Sequence, residues 1–444
     1  MSDFLDIASS LHTKSLTLFV GTGFSKYMTN GKAPSWLELL VHCTKEIDTE
    51  DILLNQLFNV DASGEVKEAI YELTICAQIL EIEFKKRRKE IKQTVATIIK
   101  SSINETTIDP YKLDELQKFF IKHPEINIVT TNYDTLFSDY IIPNSSRVII
   151  EGSTIPRVNV GQNIYHIHGC IIKPDSIVLT LKDYYNFQNS NNYFSRKFYT
   201  LLQETTVAIL GYSLGDFNLN TILSEVKNSK KETFRKTDLY FVNTSSIPEV
   251  ISKFYSLTYG IRVIKYHPID IFFKSVEAEF GKAQDLIDSV DFLKDVINEK
   301  ATYTDEILKL RITLPKILVQ ASSIGIETND SLFLLTLLKI LQRKKGYTTE
   351  DNAWVQYVHL ADWLIEVAST VVIKGSEIEA DFCELAKYSF KKSSKQLWKG
   401  YSWYAWKEWN SRWHEMKLDN QIMLQELIDA NTWDTYLEIH DIYK

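Results

Sequence analysis

The sequence predicts an α/β protein. A doubly wound parallel sheet covers residues 1–270, with a helical insertion at about 35–123, and an all-α domain covers 271–444. Three observations carry this reading. Short β-rich runs, several of them continuously apolar as strands buried on both faces are, alternate with helical stretches in the first part. Ten of the fifteen glycines and eight of the nine prolines precede residue 271, so the turn chemistry of an α/β fold is concentrated there. Beyond that point the apolar spacing is helical almost throughout.

The first strand is Leu16-Thr17-Leu18-Phe19-Val20, and it runs straight into a glycine turn at Gly21. From Ser35 to His123 the periodicity is helical, which reads as a layer or lid inserted into the sheet. Within it, Lys85-Lys86-Arg87-Arg88-Lys89 continues into Ile91, Val95, Ile98 and Ile99 at helical spacing, so the run is a solvated helix face or a partner or nucleic-acid contact. Further strands are read at Ile126–Thr130, Asn163–His168, Val207–Leu210, Asp238–Val242 and Ile261–Tyr266. The C-terminal half shows helices in Leu332–Leu341 and Trp354–Ala368. Eight of nine tryptophans lie from Trp354 onward. Trp406, Trp409 and Trp413 share one helical face, as a core stripe or as the centre of a subunit interface.

Composition narrows the function classes. With 444 residues, 44% hydrophobic and 24% charged, the chain allows two or three globular domains. Mean hydropathy is −0.16 and no run of 18 apolar residues occurs, so no membrane span is expected. The start, MSDFLDIASSLHTK, lacks a basic stretch followed by an apolar core, which makes a cytoplasmic location the expectation. The cysteines Cys43, Cys76, Cys170 and Cys383 form no C-x-x-C pair, which removes a disulfide scaffold and a cysteine zinc module. A net charge of −8 argues against a surface that coats nucleic acid.

The residues with chemical potential sit where strands end. Gly21-Thr22-Gly23-Phe24-Ser25 is a strand-to-helix turn whose backbone N–H groups could approach a pyrophosphate, or a glycine turn that only reverses the chain. The third glycine of G-x-G-x-x-G is replaced by Lys26. Pro34-Ser35-Trp36 fixes an aromatic near that loop. Thr131-Asn132-Tyr133-Asp134 delivers an amide and a carboxylate at the carboxyl end of a strand, where open α/β sheets bind ligands, although both types also favour helix caps. His166 and His168 fall on one face of a strand by its period of two, with His168 at its end. They lack the further ligands a metal would need, whereas a histidine beside a ligand crevice suits general-base work. Gly211-Tyr212-Ser213-Leu214-Gly215-Asp216 and Asn243 supply small and amide residues at two more strand ends.

In this order the residues resemble the sirtuin (SIR2) superfamily, and more closely its bacterial defence-associated SIR2-like branch. The resemblance covers about residues 10–266 and implies a Rossmann-like SIR2 fold that takes NAD as substrate. It implies a phosphate loop at Gly21, Thr22, Gly23, Phe24 and Ser25, and a cofactor-loop segment at Pro34 and Trp36. It also implies a catalytic Asn132 with a ribose-binding Asp134, a catalytic His168, and adenosine-side contacts from Gly211, Ser213 and Asn243. Leu179–Tyr185 is similar to the branch as well. The paired C-x-x-C zinc ribbon of protein-deacylating sirtuins has no counterpart, so no zinc is expected.

What the resemblance implies is an NAD hydrolase (NADase) releasing nicotinamide and ADP-ribose, acting as a gated NAD-depleting effector in antiphage abortive infection. Two alternatives stay open: a non-catalytic NAD- or ADP-ribose-sensing subunit of a defence complex, and an NAD-dependent protein deacylase. The helical domain is the expected place for homo-oligomer contacts or for a defence partner. The branch offers a HerA-type ATPase, a nucleotide-sensing subunit or a short Argonaute, and neither a membrane nor direct nucleic-acid binding is expected.

Overall fold

The computed structural model describes residues 3–154, 161–189, 193–213, 217–229, 239–244, 247–265, 267–394 and 402–428. Leu214, Gly215, Asp216, Asp238 and Tyr266, named above, lie outside the described residues. The chain divides between Phe280 and Gly281 into two compact units.

The first unit opens with α1 (Asp3–His12), β1 (Leu16–Val20) and α2 (Thr22–Met28). The insertion then contributes α3 (Trp36–Lys45), α4 (Ile52–Leu57), β2 (Phe58–Val60), β3 (Val66–Ala69), α5 (Leu73–Lys86), α6 (Ile91–Ser102) and α7 (Pro110–Lys122). The α/β alternation resumes with β4 (Asn127–Thr130), β5 (Ser146–Ile149), β6 (Gln162–His166), α8 (Leu181–Asn189), α9 (Tyr193–Glu204) and β7 (Thr206–Leu210). It closes with α10 (Phe217–Ser229), β8 (Leu239–Val242), α11 (Glu249–Tyr259), β9 (Ile261–Ile264) and the first part of α12 (Ile269–Asp288), a helix that spans the division.

Among the described residues seven strands form one sheet in the order β5-β6-β4-β1-β7-β8-β9, every pairing parallel. The first strand is central and the chain winds outward to both sides of it, the doubly wound arrangement expected from the sequence. β1, β7 and β8 are buried at every position, which explains their continuously apolar composition. Phe19, Val129, Tyr165, Ile209 and Phe241 share one face and pack with Phe194, Phe198, Leu201 and Leu202 of α9.

The sheet differs from the sequence reading in three places. β5 went unread because Ser146, Arg147 and Val148 of this edge strand are only half-buried, leaving little apolar signal. The insertion is not wholly helical: β2 and β3 pair as a short antiparallel hairpin, too brief and polar to announce itself. β6 ends at His166, so His168 lies in the following turn rather than on the strand. Ile167 N–H makes a last bond to Thr130 O (3.0 Å), and Gly169 N–H then turns back to His166 O (3.2 Å).

The basic run is a solvated helix end whose charge is offset locally: Lys85 and Lys86 close α5, and Arg87, Arg88 and Lys89 form the turn before α6, so the run does not continue helically into Ile91. Lys85 pairs with Glu81 (2.9 Å), and Lys86 and Arg87 pair with Glu83 (2.6 and 2.7 Å). In the second unit, eight α-helices follow among the described residues: α13 (Val290–Ile297), α14 (Asp305–Lys309), α15 (Thr313–Ser323), α16 (Ser331–Tyr347), α17 (Trp354–Thr370), α18 (Glu379–Lys391), α19 (Trp403–Arg412) and α20 (Leu418–Leu427). Trp363, Trp409 and Trp413 are wholly buried among Phe333, Phe382 and Phe390. Trp409 Nε1 donates to Ser389 Oγ (3.0 Å), so Trp409 and Trp413 of the stripe belong to this unit's own core, while Trp406 is only half-buried. Among the described residues no helix is long and apolar enough to cross a membrane.

Candidate functional site

Parallel pairing sets the carboxyl ends of four strands level. Val20 lies beside Thr130 on one side and Leu210 on the other, while Thr130 faces His166. The segments leaving these ends therefore emerge side by side at the point where the winding direction reverses. A cavity of about 820 Å³ lies there, within the range of small-molecule and cofactor sites. Its wall includes Thr22, Gly23, Ser25, Pro34, Trp36, Asn132, Asp134, His168, Gly211, Ser213 and Asn243.

The glycine turn has a definite packing reason. A Cβ on Gly23 would stand 2.8 Å from Gly211 O, and Gly211, at φ +62°, has room for none because Phe24 N would be 2.2 Å away. The backbones of the two turns therefore touch. Gly21 N–H donates to Leu210 O (3.0 Å), Gly23 N–H to Gly211 O (2.8 Å) and Phe24 N–H back to Gly21 O (3.0 Å). Three loop amides expected to face a phosphate are thus spent on the protein itself. Thr22 remains exposed on the wall, joined by Lys26, the one lysine or arginine among the described lining residues. Phe24 is no part of the wall: it and Met28, one helical turn on, are wholly buried, and its ring stacks on Phe137 (5.1 Å). Gly21 meets the site only through its carbonyl.

Asn132 and Asp134 are tied to that turn. Asn132 Nδ2 donates to Gly21 O (3.0 Å) and to Ser25 Oγ (3.0 Å), while Asn132 Oδ1 is buried with no hydrogen-bond partner. Ser25 Oγ donates to Asp134 Oδ2 (2.7 Å), and Leu136 N–H donates to Asp134 Oδ1 (3.1 Å). Asp134 therefore does cap the following turn, as its residue type suggested, while also anchoring the site. Burial pushes its carboxyl above the usual range, against the hydrogen bonds from Ser25 and Leu136.

The two histidines separate in role. His166, in β6, is buried behind Asn132, and its Nδ1 contacts Asn132 O (2.9 Å). A carbonyl only accepts, so the proton sits on Nδ1. Burial pushes this imidazole down to about 4, outweighing the bond to the carbonyl, so His166 is neutral at pH 7. His168 lines the cavity within an aromatic cluster: its ring meets Tyr184 at 5.5 Å and Phe187 edge-on at 5.4 Å. Tyr184 in turn stacks on Trp36 (5.8 Å, 17°).

Trp36 opens α3 just after a capping box between Ser35 and Glu38, and Lys26 holds Glu38 at 2.6 Å. Its indole Nε1 is buried without a hydrogen-bond partner. The sequence reading missed Tyr184 as a wall residue, although it lies in the Leu179–Tyr185 segment, and missed Leu39, Leu73, Ile99 and Ile103, which bring the insertion to the cavity. Lys26 had one signal: it stands where a third glycine would. Among the described residues no three His, Cys, Asp or Glu side chains cluster as metal ligands.

Comparison with known proteins gives two findings. A family model described as a SIR2-like domain matches residues 126–264, from the start of β4 to the end of β9. Defense-associated sirtuin 2 of Bacillus subtilis is 27% identical over 144 residues, which is 31% of this chain and 14% of that much longer protein. The chain carries a SIR2-like domain.

Proposed function

We propose that this SIR2-like domain hydrolyses the nicotinamide–ribose bond of NAD, releasing nicotinamide and ADP-ribose, as a gated NAD-depleting effector in antiphage defence. The observation that carries the reading is Asn132. Both its amide protons are committed to Gly21 O and Ser25 Oγ, which leaves Oδ1 a buried acceptor without a partner, on a residue that lines the cavity together with His168. A buried acceptor left unmet costs about 1–3 kcal/mol, a cost that a ligand hydroxyl or an ordered water would offset.

The chemistry asks little beyond orientation. Heterolysis of the C1′–N1 bond returns the electron pair to the pyridinium nitrogen, so nicotinamide leaves neutral and needs no acid. C1′ gains oxocarbenium character, as in glycoside hydrolysis. Water then forms the new C1′–O bond and gives up one proton. Asn132 Oδ1 accepts an O–H of the ribose or of that water, and His168 takes the proton or polarises a ribose hydroxyl. Asp134 supports the sugar side from behind, since both its oxygens already accept internal bonds. Thr22 and Lys26 serve the pyrophosphate, Pro34 and Trp36 the nicotinamide side, and Gly211, Ser213 and Asn243 the adenosine side.

The defence role draws on the name of the Bacillus subtilis relative and on the resemblance in the sequence. An enzyme that empties cytoplasmic NAD would poison its host at rest, so activity is gated. The recessed position of Asn132, Asp134 and His168, each under a tenth exposed, is consistent with that. The helical unit is where self-association or a partner would act: a HerA-type ATPase, a nucleotide-sensing subunit or a short Argonaute.

The test is to incubate the protein with NAD and quantify nicotinamide and ADP-ribose by chromatography, alone and with proteins encoded beside it plus phage-infected lysate. Turnover that disappears in both Asn132→Ala and His168→Ala supports the hydrolase. Saturable NAD binding without turnover in every mixture replaces it with a sensing subunit.

A further inference from the structure

Ser25 lies in the first turn of α2 and is 3% exposed. A serine in a glycine turn is expected to offer its hydroxyl to a phosphate, and the hydrogen bonds here argue otherwise. Its Oγ sits 2.7 Å from Asp134 Oδ2 and 3.0 Å from Asn132 Nδ2. The directions follow from the groups. With Asp134 ionised its carboxylate can only accept, so the single hydroxyl proton points to Asp134, and an amide N–H can only donate, so it fills a lone pair of the hydroxyl. What remains on Ser25 is one lone pair. A phosphate oxygen is itself an acceptor and gains nothing from it.

The same contacts decide which way Asn132 faces. Its two amide protons go to Gly21 O and Ser25 Oγ, each at 3.0 Å. Turning the amide over would set Oδ1 against Gly21 O, an acceptor against an acceptor, and against a hydroxyl whose proton is already held by Asp134. The far end of the chain is fixed as well, because Leu136 N–H donates to the other carboxylate oxygen at 3.1 Å.

We infer that Ser25 is a positioning residue: anchored by Asp134, its hydroxyl fixes the orientation of the Asn132 amide and so presents Oδ1 to the substrate. This rests on the reading of Asn132 as the group that orients ribose or water, and it removes Ser25 from the phosphate ligands. The polarity of the relay comes from the carboxylate. With an acceptor only at position 134, the hydroxyl has a single choice, and with a group that can donate there, it has two.

The experiment compares Ser25→Ala with wild type under the condition in which wild type turns NAD over, measuring kcat, KM and, by calorimetry, the Kd of ADP-ribose. A positioning role lowers kcat by roughly 10- to 100-fold, as a misaligned catalytic group does, and leaves KM and the ADP-ribose Kd within about threefold of wild type. A tenfold or greater rise in the ADP-ribose Kd assigns the hydroxyl to the ligand and overturns the inference, and so does an unchanged kcat. Should Ser25→Ala fail to fold, Asp134→Asn is the second variant, since its amide can donate to Ser25 and free the relay's polarity. It gives the same split if the inference holds, and an unaltered kcat if it does not. Wild-type protein that binds ADP-ribose yet never turns NAD over sinks the hydrolase reading itself, a result distinct from turnover that survives in Ser25→Ala.

Discussion

Replacing Gly211 by alanine tests whether mutual contact between two turns, rather than approach to a ligand, is what the glycines serve. Gly211 has φ +62°, and an added Cβ would lie 2.2 Å from Phe24 N and 2.7 Å from Gly23 C. A left-handed alanine costs roughly 1–2 kcal/mol by itself. Bringing a 2.2 Å contact out to van der Waals distance requires the glycine turn to retreat by roughly 1 Å or more. That retreat gives up the Gly23 N–H bond to Gly211 O (2.8 Å), worth about 1 kcal/mol. The expected total is about 2–3 kcal/mol. Gly64 provides the control: its φ is +83° with nothing within 4 Å of the added Cβ, so Gly64→Ala carries the backbone cost alone. The difference of about 1 kcal/mol corresponds to about 2–4 °C in melting temperature for a unit of this size. Because α2 carries Ser25, a shift of this size also lowers NAD turnover by about 100-fold. Thermal melts and nicotinamide release are read on both variants. If Gly211→Ala melts with Gly64→Ala and keeps wild-type turnover, the packing argument is refuted.

Two pH-dependent outcomes follow from the buried titratable groups. His166 is held down to about 4 while an unfolded histidine titrates near 6.5, so the unfolded chain binds the extra proton first; stability is full above about 6.5 and declines by about 3 kcal/mol as pH falls to about 4. Urea midpoints measured between pH 4 and 7 should show this slope in wild type and a shallower one in His166→Gln, and parallel profiles would count against it. Asp134 has the opposite sign: burial raises its folded value, so the native state keeps a proton that the unfolded chain has lost, and its ionisation costs stability as pH rises past the ordinary carboxylate range. Asp134→Asn should therefore be at least as stable as wild type at pH 7, lose that advantage on acidification, and still turn NAD over more slowly; a variant both less stable and fully active would show that the carboxylate has neither role.

The sheet was legible wherever strands are buried on both faces, since continuous apolar runs such as Val207-Ala208-Ile209-Leu210 have few other uses in a soluble domain. It was illegible at its edge, where Ser146 and Arg147 face a half-exposed surface and carry no apolar pattern. Asn132, Asp134 and His168 could be picked out as polar types at strand ends, yet nothing local says which way an amide faces. That depends on Gly21 and Ser25, more than 100 residues away in sequence. Phe24 was drawn into the phosphate loop by its neighbours, whereas its i, i+4 spacing with Met28 was the signal that it belongs to the core.

Register is what turns those separate strand ends into one site, and the site's own contacts hold the register. Val20 pairs with Thr130 and Leu210, and beyond those pairs Gly21 N–H reaches Leu210 O while Thr130 Oγ1 reaches Val20 O (2.9 Å) and accepts from Asn132 N–H (2.9 Å). A slip of one residue would turn each side chain to the other face and part Asn132 from Gly21. The strands of this frame other than β1 lie in the stretch matched as SIR2-like, residues 126–264. The glycine turn, Trp36, Leu39, Leu73, Ile99 and Ile103 precede it. The insertion thus supplies part of the cavity wall, and under the hydrolase reading a substitution there is expected to change which NAD-like molecules enter without disturbing the strand register.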